Sequence, residues 1–83
     1  MIFDVRLKPK AEKALKKLPE KDGERIKAAL IGLAIDPFWG KKLFGKWDGY
    51  YSTRVWPYRI VYQVHKHALV VLVIEIGHRQ GVY

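Results

Sequence analysis

The sequence predicts an α+β fold: a two-helix antiparallel hairpin packed on one face of a small, mainly antiparallel four-stranded sheet. Three observations predict it. Apolar residues recur at helical spacing in two blocks before residue 36. They alternate or run continuously in three blocks after residue 50, and tight turn signals separate those later blocks. The order is strand, helix, helix, strand, strand, strand, and helices gathered over one face of an antiparallel sheet is the economical packing.

The first strand is Ile2 to Leu7, with Phe3, Val5 and Leu7 on one face. Pro9 suits the first turn of a helix, where its missing N–H costs nothing. Ala11, Ala14, Leu15 and Leu18 then repeat at helical spacing, while Lys10, Lys13, Lys16 and Lys17 cover the other side, and Pro19 stops the helix. A second helix starts near Glu20 to Asp22 and buries Ile26, Ala29, Leu30, Leu33 and Ala34. It ends at Asp36-Pro37, because the residue before proline avoids helical geometry. Residues 36–49 read as a long loop pinned to the core by Phe38, Trp39, Leu43 and Phe44, with Lys41, Lys42 and Lys46 pointing outward. Strands follow at about Tyr50–Val55, Tyr58–Val64 and Ala68–Ile76. Trp56-Pro57 and His65-Lys66-His67 are turns short enough to force antiparallel hairpins. The last strand is apolar on both faces, which suits a central place in the sheet.

Eighty-three residues predict one domain, 1–83. A hydrophobic fraction of 49% is ample for a compact core. The absence of cysteine excludes a disulfide framework and thiolate chemistry and fits a reducing, cytoplasmic compartment. No metal-ligand spacing such as HxxxH occurs, so no metal or other cofactor is expected. Nothing resembles a signal peptide, and the longest apolar run, Ala68 to Ile74, is too short to span a bilayer, so no membrane partner is expected. Sixteen Lys/Arg against eight Asp/Glu leave a net charge of +8. That potential favours nucleic acid or an acidic protein as partner.

If Trp56-Pro57 is a two-residue turn, Arg54 stands opposite Arg59. Like charges directly opposed across strands destabilise a sheet, and an anion between them relieves this, since guanidinium groups bind phosphate through paired hydrogen bonds. Alternatively, each arginine points to solvent or pairs with a carboxylate. Arg79 follows the last strand. Glu75 is either a general base or, on the bland reading, a salt-bridge partner holding an arginine. His78 is either a proton donor, since imidazole titrates near neutral pH, or a strand-end cap. His65 and His67 read as solvated. Trp39, Trp47, Tyr50 and Tyr62 read as core or loop anchors. Tyr83 is poorly placed for burial and suits stacking on a base.

These residues resemble the RelE branch of the RelE/ParE toxin superfamily over nearly the whole chain. The resemblance runs from the helical hairpin through Leu43-Phe44-Gly45, Tyr50-Tyr51, Arg54-Val55, Tyr58-Arg59-Ile60-Val61-Tyr62 and Val70–Ile76 to His78-Arg79 and Val82-Tyr83. It implies a type II toxin that enters the ribosomal A site and cuts messenger RNA without a metal, the ribose 2′-hydroxyl attacking the adjacent phosphate. By position it implies that Arg59 and Arg79 clamp the scissile phosphate and that Arg54 adds a basic group. Tyr83 would stack on or orient the nucleotide, and Lys41, Lys42, Lys46 and His78 would touch RNA. Some relatives carry a lysine where this chain has Ser52. The resemblance also implies a cognate, RelB-like antitoxin and a toxin–antitoxin hetero-oligomer. The alternatives are a ParE-like gyrase poison and a catalytically inactive relative that binds RNA or antitoxin.

Overall fold

The structure, a computed structural model, describes residues 2–78, so the expectations attached to Arg79 and Tyr83 lie outside the described residues. The elements are β1 Asp4–Leu7, α1 Pro9–Lys17, α2 Glu20–Ile35, β2 Lys41–Lys42, β3 Tyr50–Val55, β4 Tyr58–His65 and β5 Val70–His78. Short 3-10 turns at Pro37–Trp39 and Gly45–Trp47 flank β2.

The two helices lie on one face of the sheet, as the sequence predicts. The sheet itself has five strands rather than four, in the order β1-β5-β4-β3-β2. The added strand is β2, whose two lysines carry no apolar alternation and become a strand only because β3 offers partners, Lys41 to Ser52 and Lys42 to Tyr51. β1 pairs parallel with β5 and the remaining pairs are antiparallel. β5 is therefore central, covered by a strand on each side, as its apolar character requires.

Pro9 opens α1, with Glu12 in the first turn and Lys16 and Lys17 in the last, each matched to the helix dipole. Glu20 and Asp22 play the same part at the start of α2. Asp36 closes α2 and its side chain accepts a hydrogen bond from Phe38 N at 3.2 Å, which starts the next turn.

The core lies between helices and sheet. Ala11, Ile26, Leu30 and Leu33 meet Ile60, Tyr62, Val71, Val73 and Ile76. Tyr62 is the largest fully buried side chain, and its hydroxyl donates to Pro37 O at 2.8 Å, satisfying both groups. Burial pushes its phenol up to about 12. Gly40 sits against this ring. A Cβ there would overlap Tyr62 Oη and come within 2.8 Å of Ser52 O, so only glycine lets the chain pass between them.

A register shift between Val61 and Tyr62 skips Ile74 on β5. It lets Ile76, Val73 and Val71 all face the helices, which strict alternation forbids.

Candidate functional site

The β3–β4 hairpin closes through Trp56-Pro57, whose peptide bond is cis, with Val55 opposite Tyr58 and Arg54 opposite Arg59. Val55, Tyr58 and Ile60 pack with the helix-side core. By alternation Arg54 and Arg59 stand on the other face, which no helix covers. The expected juxtaposition is therefore present. Arg54 is exposed, whereas Arg59 is half-buried and its Nε is shielded from solvent.

Lys41 joins them. It pairs with Ser52, which pairs with Val61, so Lys41, Ser52, Arg54 and Arg59 share the open face. Lys42 pairs with Tyr51, whose ring stacks on Tyr62 at 5.7 Å on the helix side, so alternation sends Lys42 to the opposite side of the sheet edge. Lys46 is exposed on the Gly45–Trp47 turn. The rest of the open face is walled by Leu43 and Val61 with Trp47 and Tyr50, whose rings meet edge-on at 5.4 Å. This small second cluster fixes the loop that delivers the lysines.

The hairpin tip is tied to α2. Tyr58 Oη donates to Asp22 Oδ2 at 2.7 Å, and Arg25 Nη1 lies 3.8 Å from the same carboxylate. The bond to Asp22 raises the Tyr58 phenol above its ordinary value, with desolvation adding to it. Neither Asp22 nor Tyr58 stands out in the sequence as a positioning residue, because the two are 36 positions apart and no short-range pattern links them.

Other expectations resolve differently. His78 pairs with Tyr58 and meets its ring edge-on at 6.2 Å, which places it on the helix side of the rim, across the sheet from Arg54 and Arg59. Glu75 lies past the end of β1 and pairs with Lys10 Nζ at 2.7 Å, so its partner is a lysine of α1 rather than an arginine. His65 and His67 are exposed, as predicted. Of the four residues expected to pin the loop, only Leu43 is buried. Phe38 is anchored in part, edge-on to Phe3 at 6.4 Å and to Tyr51 at 5.9 Å, with Lys66 Nζ 5.3 Å above its ring. Trp39 and Phe44 remain 66% and 75% exposed, which corrects the expectation. The tight Pro37–Trp39 turn sends successive side chains in different directions, so Phe38 packs inward and Trp39 outward. Phe44 is extended and follows the inward Leu43, so it points away.

Among the described residues no group of three or more His, Asp or Glu side chains gathers as a metal site, and no helix is long and apolar enough to cross a membrane. What the open face carries is the positive charge of Lys41, Arg54 and Arg59.

The comparisons agree with this architecture. The profile described as the ParE toxin of the type II toxin–antitoxin system parDE matches residues 5–83. The RelBE2 toxin–antitoxin complex of Mycobacterium tuberculosis contains a chain 26% identical, with TM-score 0.88, covering 95% of this chain and 100% of that one. The free-state structure of an arginine-to-alanine double mutant of the E. coli toxin RelE is 30% identical, with TM-score 0.81, covering 94% and 84%. A YoeB/ParE toxin from Agrobacterium tumefaciens shares the fold at 20% identity, with TM-score 0.80, covering 93% and 99%. A comparison with curated sequences returned no match. The molecule is a toxin of a type II toxin–antitoxin system. The chain belongs to the ParE toxin family of the RelE/ParE superfamily, and its solved neighbours include RelE toxins.

Proposed function

We propose that this toxin is a ribosome-dependent messenger RNA endonuclease of the RelE type, acting in the cytoplasm on translated RNA in the A site. The observation that carries the reading is the opposition of Arg54 and Arg59 on the uncovered face, with Lys41 beside them. In this scheme the ribose 2′-hydroxyl attacks the adjacent phosphorus and the bond to the 5′-oxygen breaks. The products are a 2′,3′-cyclic phosphate and a 5′-hydroxyl end. Arg59, with Arg79 carried over by resemblance, holds the phosphate oxygens as charge builds on the phosphorane, and Arg54 adds to the field. The scheme uses no metal. Tyr83 orients the nucleotide, Lys41 and Lys46 meet RNA backbone, and Lys42 and His78, on the helix side of the sheet, meet RNA away from the scissile phosphate. The ribosome supplies orientation that so small a domain cannot, so free RNA is a poor substrate.

One preorganised donor aimed at developing charge is worth about 10²–10³ in rate. The test is to induce the toxin in cells and map messenger RNA 5′ ends. Cuts confined to translated frames, falling about 10²–10³-fold with Arg59→Ala, are expected. The competing reading is a gyrase poison, favoured by the match to the ParE profile. Intact transcripts alongside broken chromosomal DNA would establish it and overturn the nuclease.

An antitoxin holds the toxin in check. The +8 charge calls for an acidic segment lying across the arginine face, and added salt weakens such a complex.

A further inference from the structure

The tip of the β3–β4 hairpin carries a residue that turn formation does not call for. Two-residue turns ordinarily take small or polar residues, or proline, whose backbone preferences shape them. Here the first position is Trp56, which is 56% exposed. Among the described residues it joins neither of the two apolar clusters. Its neighbours are the arginines. Arg54 stands two positions before it, about 7 Å along an extended strand, and Arg59 faces Arg54 from β4. Trp39 and Phe44 are also exposed, but they stand on segments outside the arginine hairpin.

The tip is held from several sides. Val55 and Tyr58 pack on the helix-side core, Tyr58 Oη is bonded to Asp22 at 2.7 Å, and His78 meets the Tyr58 ring edge-on. A ring displayed on so firmly anchored a turn loses little freedom when a planar partner covers it. Two carboxylates come near the rim, and each has a cation of a helix beside it. Asp22 has Arg25 at 3.8 Å, and Glu75, two residues before the Gly77 that pairs with Arg59, has Lys10 at 2.7 Å. Lys41, Arg54 and Arg59 therefore set the sign of the open face. An aromatic plane beside cations suits a strand that alternates flat bases with phosphates, which is single-stranded nucleic acid. An acidic protein would use the cations but offers the ring no such alternation.

We propose that Trp56 is a nucleobase-stacking platform, on which one unpaired base of the RNA strand lies flat while Arg54 and Arg59 hold an adjoining phosphate. Stacking accepts any base, because every base presents a π-face. Trp56 therefore contributes affinity and fixes where along the strand the arginines act, and it does not choose the sequence. No bond is made or broken at this ring. The inference deepens the function proposed above and rests on its RNA partner, not on its cleavage chemistry.

The test measures binding of the whole chain to a short, labelled single-stranded RNA by fluorescence anisotropy at low salt. Trp56→Ala is expected to weaken binding roughly ten- to a hundredfold, while Trp56→Phe, which keeps an aromatic face, stays near the parental level. Circular dichroism and thermal melting verify that both variants fold. A strand of the same length built on abasic riboses keeps the phosphates and removes the bases, so the parent and Trp56→Ala should bind it alike. The proposal is overturned by a Trp56→Ala affinity equal to the parent's, by equal losses on the base-bearing and abasic strands, or by no RNA binding in the parent. A fall in antitoxin affinity with RNA affinity unchanged overturns it too and assigns the ring to a protein partner. Mapping messenger RNA ends with Arg59→Ala tests the nuclease separately. Intact transcripts beside Trp56-dependent RNA binding sink the nuclease alone, and Arg59-dependent cuts beside Trp56-independent binding sink the platform alone.

Discussion

The junction of Gly40 and Tyr62 is where the fold most directly holds the functional face in place, and it can be perturbed from both sides. Tyr62 Oη donates to Pro37 O at 2.8 Å inside the core, and the next residues along the chain from Gly40 are Lys41 and Lys42. Tyr62→Phe deletes the donor and leaves a carbonyl of a buried proline without it. An orphaned buried group of this type costs about 1–3 kcal/mol, and in a domain of this size each kcal/mol lowers Tm by roughly 4–8 °C. A fall of about 8–16 °C is therefore expected for the middle of that range. Gly40→Ala acts on the same contact by crowding. Its Cβ meets Tyr62 Oη, Tyr62 Cζ at 3.1 Å and Ser52 O at 2.8 Å, and overpacking of this kind costs about 1–3 kcal/mol. The two substitutions share a partner, so their effects do not add. In the double variant the missing hydroxyl makes room for part of the new methyl, and the combined loss falls short of the sum by at least about 0.5 kcal/mol. Urea titration of all four proteins measures the cycle. Strict additivity, or a Tyr62→Phe protein that melts with the parent, would show that the hydroxyl is not the atom Gly40 accommodates.

Alkaline pH offers a second handle on the same residue. The phenol of Tyr62 is pushed up to about 12 from 10.0 by burial, so the unfolded chain loses this proton first. Its contribution to stability is whole below pH 10 and drains away as pH climbs towards 12. Urea midpoints taken from pH 9 upward should therefore fall less steeply in Tyr62→Phe than in the parent, and equal slopes would refute the shift. Arg54→Gln tests the opposed pair. Removing one of two like charges in register stabilises the sheet by about 0.2–1 kcal/mol at low salt, less at high salt, while single-stranded RNA binding weakens. A destabilised Arg54→Gln protein would mean that the pair is not repulsive.

Much of this molecule is written locally. Pro9, Pro19 and the Asp36-Pro37 step set the helix limits, and the core side of α2 follows from apolar spacing. The two-residue turn at Trp56-Pro57 fixes the register that sets Arg54 against Arg59. These features depend on backbone geometry within a few residues, which is why the chain states them without help. The bonds that cross the fold are different. Tyr58 to Asp22, Tyr62 to Pro37 and Lys10 to Glu75 join elements far apart in sequence, and nothing near any of these residues announces its partner.

By itself the sequence determined the helices, the hairpins, the positive charge and the arginine pair, because each follows from local spacing or composition. Only the tertiary structure decided that Lys41–Lys42 would become a strand, that β5 would skip Ile74 to turn Val71 and Val73 inward, and that His78 would face away from the arginines. It alone left Ile31, Ile35 and Trp39 on the surface. Strand membership, register and burial are properties of what lies across the sheet or against the helix, and a one-dimensional pattern does not say which neighbour that will be.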